Sequence, residues 1–114
     1  MAQGHGCLSL VTNEKGGIID DTVITNAGDH VYMVVNGATK FGDMDHFRQQ
    51  MADFDGDVEM EYLEDSYQLL ALQGPGAADA VKKLLPADFD LVHMPFMTGA
   101  ETKLDGIEGC RLTR

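Results

Sequence analysis

Apolar residues recur every second position in the first third of the chain and every third or fourth position after it. Leu8, Leu10 and Thr12 alternate with Ser9 and Val11, which predicts a short strand over 8–12 because successive strand side chains face opposite ways. Glu14-Lys15-Gly16-Gly17 reads as a turn, and residues 18–25 as the returning strand. Asn26-Ala27-Gly28-Asp29 is a second turn, followed by a run rich in Val, Tyr and Met over 30–36. Gly37 closes that strand, and Thr39 is placed to cap a helix. From 40 to 54 the period changes. Phe41, Met44, Phe47, Met51 and Phe54 form one stripe with Asp43, Asp45, Arg48 and Gln49 between them, the pattern of an amphipathic helix whose stripe packs on a core.

Val58, Met60 and Tyr62 alternate with Glu59 and Glu61, predicting a strand with one wet face, and the apolar run 67–73 predicts a buried one. Gly74-Pro75-Gly76 then opens a helix, with Pro where its missing N–H costs little. Ala77, Ala80, Val81, Leu84 and Leu85 form its inner face, and Pro86 ends it. Residues 96–104 and 108–112 read as a hairpin turning at Asp105-Gly106. The expected order is βββα-ββα-ββ: an α+β fold of antiparallel sheets, with two amphipathic helices covering one face. The polar, Gly-containing joint at 53–57 is expected to mark a soft subdomain boundary within the single domain of residues 1–114.

Two adjacent carboxylates, Asp20 and Asp21, interrupt the second strand. Alternation sends them to opposite faces. Asp20 is expected in solvent, and Asp21 on the face shared with Ile19 and Val23. A carboxylate between β-branched neighbours is either held by a backbone N–H or set beside a ligand's nitrogen.

Composition narrows the partners. A chain of 114 residues suits one domain with a modest core. The formal net charge is −11 with the acids spread along the chain, which argues against nucleic-acid binding through clustered Lys and Arg. No stretch approaches the roughly 20 apolar residues of a membrane span, and no signal peptide is visible. Two cysteines, Cys7 and Cys110, give no disulfide framework and suit a reduced intracellular setting.

Leu8-Ser9-Leu10-Val11-Thr12-Asn13, Gly16-Gly17-Ile18-Ile19-Asp20-Asp21, Val31-Tyr32-Met33-Val34-Val35-Asn36, Leu69-Leu70-Ala71-Leu72-Gln73-Gly74-Pro75, and Pro95-Phe96-Met97-Thr98 with Gly109-Cys110-Arg111-Leu112-Thr113-Arg114 occur in that order. Together they resemble the aminomethyltransferase, or T-protein, family of the glycine cleavage system. The Gly-Tyr-Thr-Gly-Glu block expected after Arg114 is not present, so the chain is expected to be a middle piece of the folate-binding region. The resemblance implies transfer of an aminomethyl group from the lipoyl arm of the H-protein to tetrahydrofolate, with release of ammonia. It implies Asp21 as the catalytic carboxylate. Leu8, Tyr32 and Asn36 become folate-pocket residues, apolar walls and an amide; Val35 replaces the Ser often found beside that Asn.

Read simply as strand residues, Tyr32 is a half-buried aromatic and Asn36 a turn-former. The cations meeting folate's anionic tail are expected outside these 114 residues. Eukaryotic members of such a family are mitochondrial and bacterial ones cytoplasmic. Alternatives are the folate domain of a dimethylglycine or sarcosine dehydrogenase, and a non-catalytic folate-fold protein of iron–sulfur maturation; the Leu-Leu-Ala-Leu-Gln-Gly-Pro block favours the first reading. By itself the chain is expected to be inactive and to self-associate through exposed edges.

Other motifs fail on chemistry. Gly74-Pro75-Gly76 begins a dinucleotide fingerprint, but position 79 is Asp and no parallel βαβ unit surrounds it. His5 and Cys7 are half a metal site without a second pair. Asp53, Asp55, Asp57 and Glu64 fall at positions 1, 3, 5 and 12 of a calcium loop, but position 6 is Val58, where the turn needs Gly. Calorimetric titration with calcium should therefore show no binding tighter than roughly millimolar, the weak end of such loops.

Overall fold

The computed structural model describes residues 1–114 and is α+β, with two antiparallel sheets and two helices. Strands β1 (Gly6–Thr12), β2 (Ile18–Asn26) and β3 (Val31–Val34) form the first sheet in that spatial order. Leu8 lies opposite Val23 and Leu10 opposite Asp21, with a bulge between Val11 and Thr12. The β1–β2 turn closes on itself: the Asn13 side-chain oxygen accepts the N–H groups of Lys15 at 3.0 Å and Gly17 at 2.9 Å, an Asx turn that replaces lost ladder bonds.

Helix α1 (Lys40–Asp53) follows. Thr39 stands at its N-cap, but the hydroxyl donates back to the Asn36 carbonyl at 3.2 Å instead of capping. Burial along α1 is deepest in its first turns. Met44 is buried, Phe47 and Met51 are half-buried, and Phe41 and Phe54 are exposed. The helical period was legible; the depth of burial along it was not.

Segments 58–62 and 67–73, expected as strands, belong to no sheet. A strand satisfies its backbone only against a neighbour, and neither segment meets one in this chain. Leu70 is 85% exposed, with Leu69 and Leu72 exposed beside it. A continuous apolar run marks a preference for burial, and no layer of this chain supplies it. An ion pair between Lys40 and Glu64 ties the intervening loop to the start of α1.

Helix α2 (Ala77–Lys82) is shorter than its apolar pattern suggests. The Leu84 carbonyl just beyond it accepts the Asp105 N–H at 2.7 Å, joining it to the hairpin of β4 (Gly99–Leu104) and β5 (Ile107–Thr113). That hairpin turns at Asp105 (φ 49°) and Gly106 (φ 80°). Two positive φ values make the turn whose twist matches the strands it joins.

The two sheets are laced at one seam. Gly4 donates to the Asn26 carbonyl and accepts from the Gly99 N–H, each at 2.7 Å; Gly6 donates to Met97 at 2.7 Å; Arg114 donates to Thr98 at 2.9 Å. His5 and Thr98 form a bridge there. Backbone pairing carries this junction, because little apolar surface is buried. Only 8 of 114 residues are buried, with Val11, Met44 and Met94 the apolar ones. The radius of gyration is 15.9 Å, against about 13 Å for a well-packed chain near this length.

Gly4 holds the seam with φ +78°, and a Cβ there would lie 3.2 Å from the Gly99 carbonyl oxygen. Gly4→Ala should lower stability by about 1–3 kcal/mol, read as a reduced urea midpoint with an unchanged slope.

Candidate functional site

Register assigns the faces of the first sheet. Residues directly opposite in an antiparallel pair share a face. Leu8 and Leu10 on β1 therefore lie with Asp21, Val23 and Thr25 on β2, and with Tyr32 and Val34 on β3. The other face carries Ser9, Val11, Asp20, Thr22, Ile24 and Met33. Leu8, Asp21 and Tyr32, three of the four residues singled out from the sequence, thus share one face. Leu8 is 63% exposed, and that face is open over much of its area.

The fourth residue, Asn36, binds the strand from its edge. Its Nδ2 donates to Asp20 Oδ1 at 2.9 Å, to Asp21 Oδ1 at 3.0 Å and to the Asp21 carbonyl at 3.2 Å. Its backbone N–H donates to Asp20 Oδ2 at 3.1 Å. One side chain therefore holds both carboxylates. The Asn36 carbonyl in turn accepts the Thr39 N–H and hydroxyl, each at 3.2 Å, which joins this contact to the start of α1.

Burial of the two acids is the reverse of the expectation from alternation. Asp20 is 7% exposed, whereas Asp21 is exposed. The reason is tertiary: the first turn of α1 brings Asp43 against Asp20, and that side of β2 is covered. The side-chain hydrogen bond from Asn36, opposed by desolvation and reinforced by the Asn36 N–H, lowers the Asp20 pKa from 3.8 to about 2. Asp20 is a buried anion with partners.

Asp43 is the residue that sequence reasoning missed. It is fully buried, and neither carboxyl oxygen has a donor. Burial first, then the adjacent Asp20 carboxylate, raises its pKa. One signal for it was present: Asp43 lies four residues before Phe47, on the flank of the apolar stripe. Arg111 was missed as well. Its guanidinium sits 4.6 Å above the Tyr32 ring while Nη2 donates to Glu101 Oε1 at 3.1 Å. The second sheet thereby covers one side of Tyr32 with a cation–π contact. No three His, Cys, Asp or Glu residues converge at metal-ligand geometry. Cys7 and Cys110 are free thiols.

Residues 1–114 match the GCVT N-terminal domain family. The chain belongs to that family. It is 44% identical to the mitochondrial aminomethyltransferase of Dictyostelium discoideum over 97% of its own length. Identity is 45% to that of Mesembryanthemum crystallinum over the whole chain, and 42% to that of Homo sapiens over 96% of it. The chain spans about 28% of the length of these relatives. Membership accounts for five sequence blocks in one order, and the register gives them a spatial meaning. The Leu8 block, the Asp21 block and the Tyr32 block are neighbouring strands of one sheet.

The raised Asp43 pKa has a definite linkage sign. A carboxyl that binds its proton more tightly when folded favours folding fully below its ordinary value of 3.8. That contribution is lost as pH rises through the raised value. Asp43→Asn removes the ionisation and should raise stability at neutral pH by about 1–2 kcal/mol. In thermal melts the gain should shrink towards zero below pH 3.8.

Proposed function

We propose that this chain forms part of an aminomethyltransferase, which moves a one-carbon unit from the aminomethyl-lipoyl arm of an H-protein to tetrahydrofolate and releases ammonia. The observation that carries this reading is Asp21, held by Asn36 opposite Leu10 on an open face that also carries Leu8 and Tyr32. Family membership and the names of the relatives supply the reaction class.

The donor set fits a reduced pterin. A flat ring with N–H groups needs an apolar platform and a carboxylate acceptor at its edge, and this face offers both. When bound, tetrahydrofolate supplies the nucleophilic nitrogen that receives the carbon. Asp21 orients that ring through an N–H and stabilises positive charge developing at the nitrogen. Leu8 and Tyr32 exclude water from the ring faces. Asn36 has committed its amide hydrogens to the carboxylates, which leaves its Oδ1 to accept from a ligand.

Nothing on this face receives an anionic tail: Arg111 is engaged by Glu101 and Tyr32. The folate glutamate must therefore be met by cations elsewhere in the longer enzyme. In a eukaryote the reading places the protein in the mitochondrial matrix, as the mitochondrial names of the relatives support; in a bacterium it places it in the cytoplasm.

Asp21→Asn in the longer enzyme should lower methylenetetrahydrofolate formation from aminomethylated H-protein by at least about 100-fold, with an unchanged circular dichroism spectrum and melting temperature. Retention of near-full turnover would remove Asp21 from the chemistry.

A further inference from the structure

Behind the exposed Asp21 lies a second layer of acids that the reaction does not touch. Asp20 accepts two hydrogen bonds from Asn36, and Asp43 is packed against Asp20 at the start of α1. Asp43 is wholly buried and neither carboxyl oxygen meets a donor at hydrogen-bond geometry, although the nearby Thr39 hydroxyl opposes the rise in its pKa. Two buried carboxylates side by side repel strongly, whereas an acid and a carboxylate share a proton in a short, charge-assisted bond. The surroundings allow few other solutions. Asp20 faces Asp43 from β2, Thr39 lies at the helix cap, and His46 one turn along α1 supplies partial compensation. Once Asp43 carries the proton, its O–H becomes the missing donor and Asp20 stays an anion with three donors around it.

We propose that Asp43 is a positioning residue: as a neutral acid donating to Asp20, it fixes the Asn36 amide, and through Asn36 sets the orientation of the Asp21 carboxylate. Asp43 lies against Asp20, and hydrogen bonds lead from Asp20 through Asn36 to Asp21 on the open face of the sheet. The Asp43 proton does not transfer to substrate and no bond to it changes during turnover. Its role in catalysis rests on the aminomethyltransferase reading, but its hold on Asn36 does not. Ionisation of Asp43 places two charges in one buried site, and the cheapest relief moves Asp20 away from Asn36. Asp21 then loses the donor that aims it.

The test separates the two readings. In the longer enzyme, Asp43→Ala and Asp43→Leu should each lower kcat at least about tenfold with KM for folate changed less than about threefold. Asp43→Asn, whose amide still donates to Asp20, should keep kcat within about threefold of the parent. In parallel, the chemical shifts of the Asn36 side-chain N–H₂ group are followed by ¹⁵N NMR from pH 4 to pH 8. The parent signals should move as Asp43 ionises; those of Asp43→Asn should lack that step. Identical pH courses for parent and Asp43→Asn overturn the proposal, even where the apolar variants fail to fold. So does full kcat in a folded Asp43→Ala. A parent without transfer activity but with the expected Asn36 behaviour would defeat the functional reading and leave the Asp43–Asp20–Asn36 coupling standing.

Discussion

Asn36 is the point at which the first sheet, the first helix and both central carboxylates are joined, and most of the local geometry depends on its amide. Its backbone N–H and Nδ2 serve Asp20, Nδ2 also serves Asp21, and its carbonyl receives Thr39 at the start of α1. Hydrogen bonds to charged groups are worth more than neutral ones, and leaving a buried carboxylate without them is costlier still. The strand end at 36 and the helix start at 40 are thereby held in one place. Removing that amide would loosen the sheet edge, the helix entry and the exposed carboxylate together.

The buried side of this junction carries two carboxylates in unlike settings. Asp20 is a well-solvated anion in effect, because protein donors replace water around it. Asp43 has no such replacement, and its burial beside the Asp20 carboxylate raises its pKa. Strain of this kind is commonly concentrated where function needs a side chain held in one direction. Two neighbouring acids of the same type thus have unlike settings: Asp20 is buried among donors, and Asp21 lies exposed on the open face.

The remainder of the molecule is held by backbone pairing more than by a core. The seam of Gly4, Gly6, Met97, Gly99 and Arg114 joins the two sheets through main-chain hydrogen bonds, while the apolar run near Leu70 stays exposed. Hydrogen bonds give direction and register, whereas burial of apolar area supplies most of the stability. Register is therefore well defined here, and the open face beside Asp21 follows directly from it.

Periodicity along the chain was enough to determine the first three strands, the helix from 40, the Asp105-Gly106 hairpin and the α+β class, since those follow from local sterics and alternation. The five ordered blocks were enough to indicate the family. Tertiary structure decided what local rules leave open. Alternation separates Asp20 from Asp21 but does not say which face a helix will cover, and α1 covers that of Asp20. The run 67–73 has the composition of a buried strand, but pairing needs a partner that composition does not provide. Asp43 reads as an ordinary first-turn acid, and Arg111 as a surface cation on a hairpin. Only the approach of α1 to β2 buries Asp43 beside Asp20, and only the approach of β5 to β3 sets Arg111 on Tyr32. Each depends on contacts between residues far apart in sequence, where periodicity carries no information.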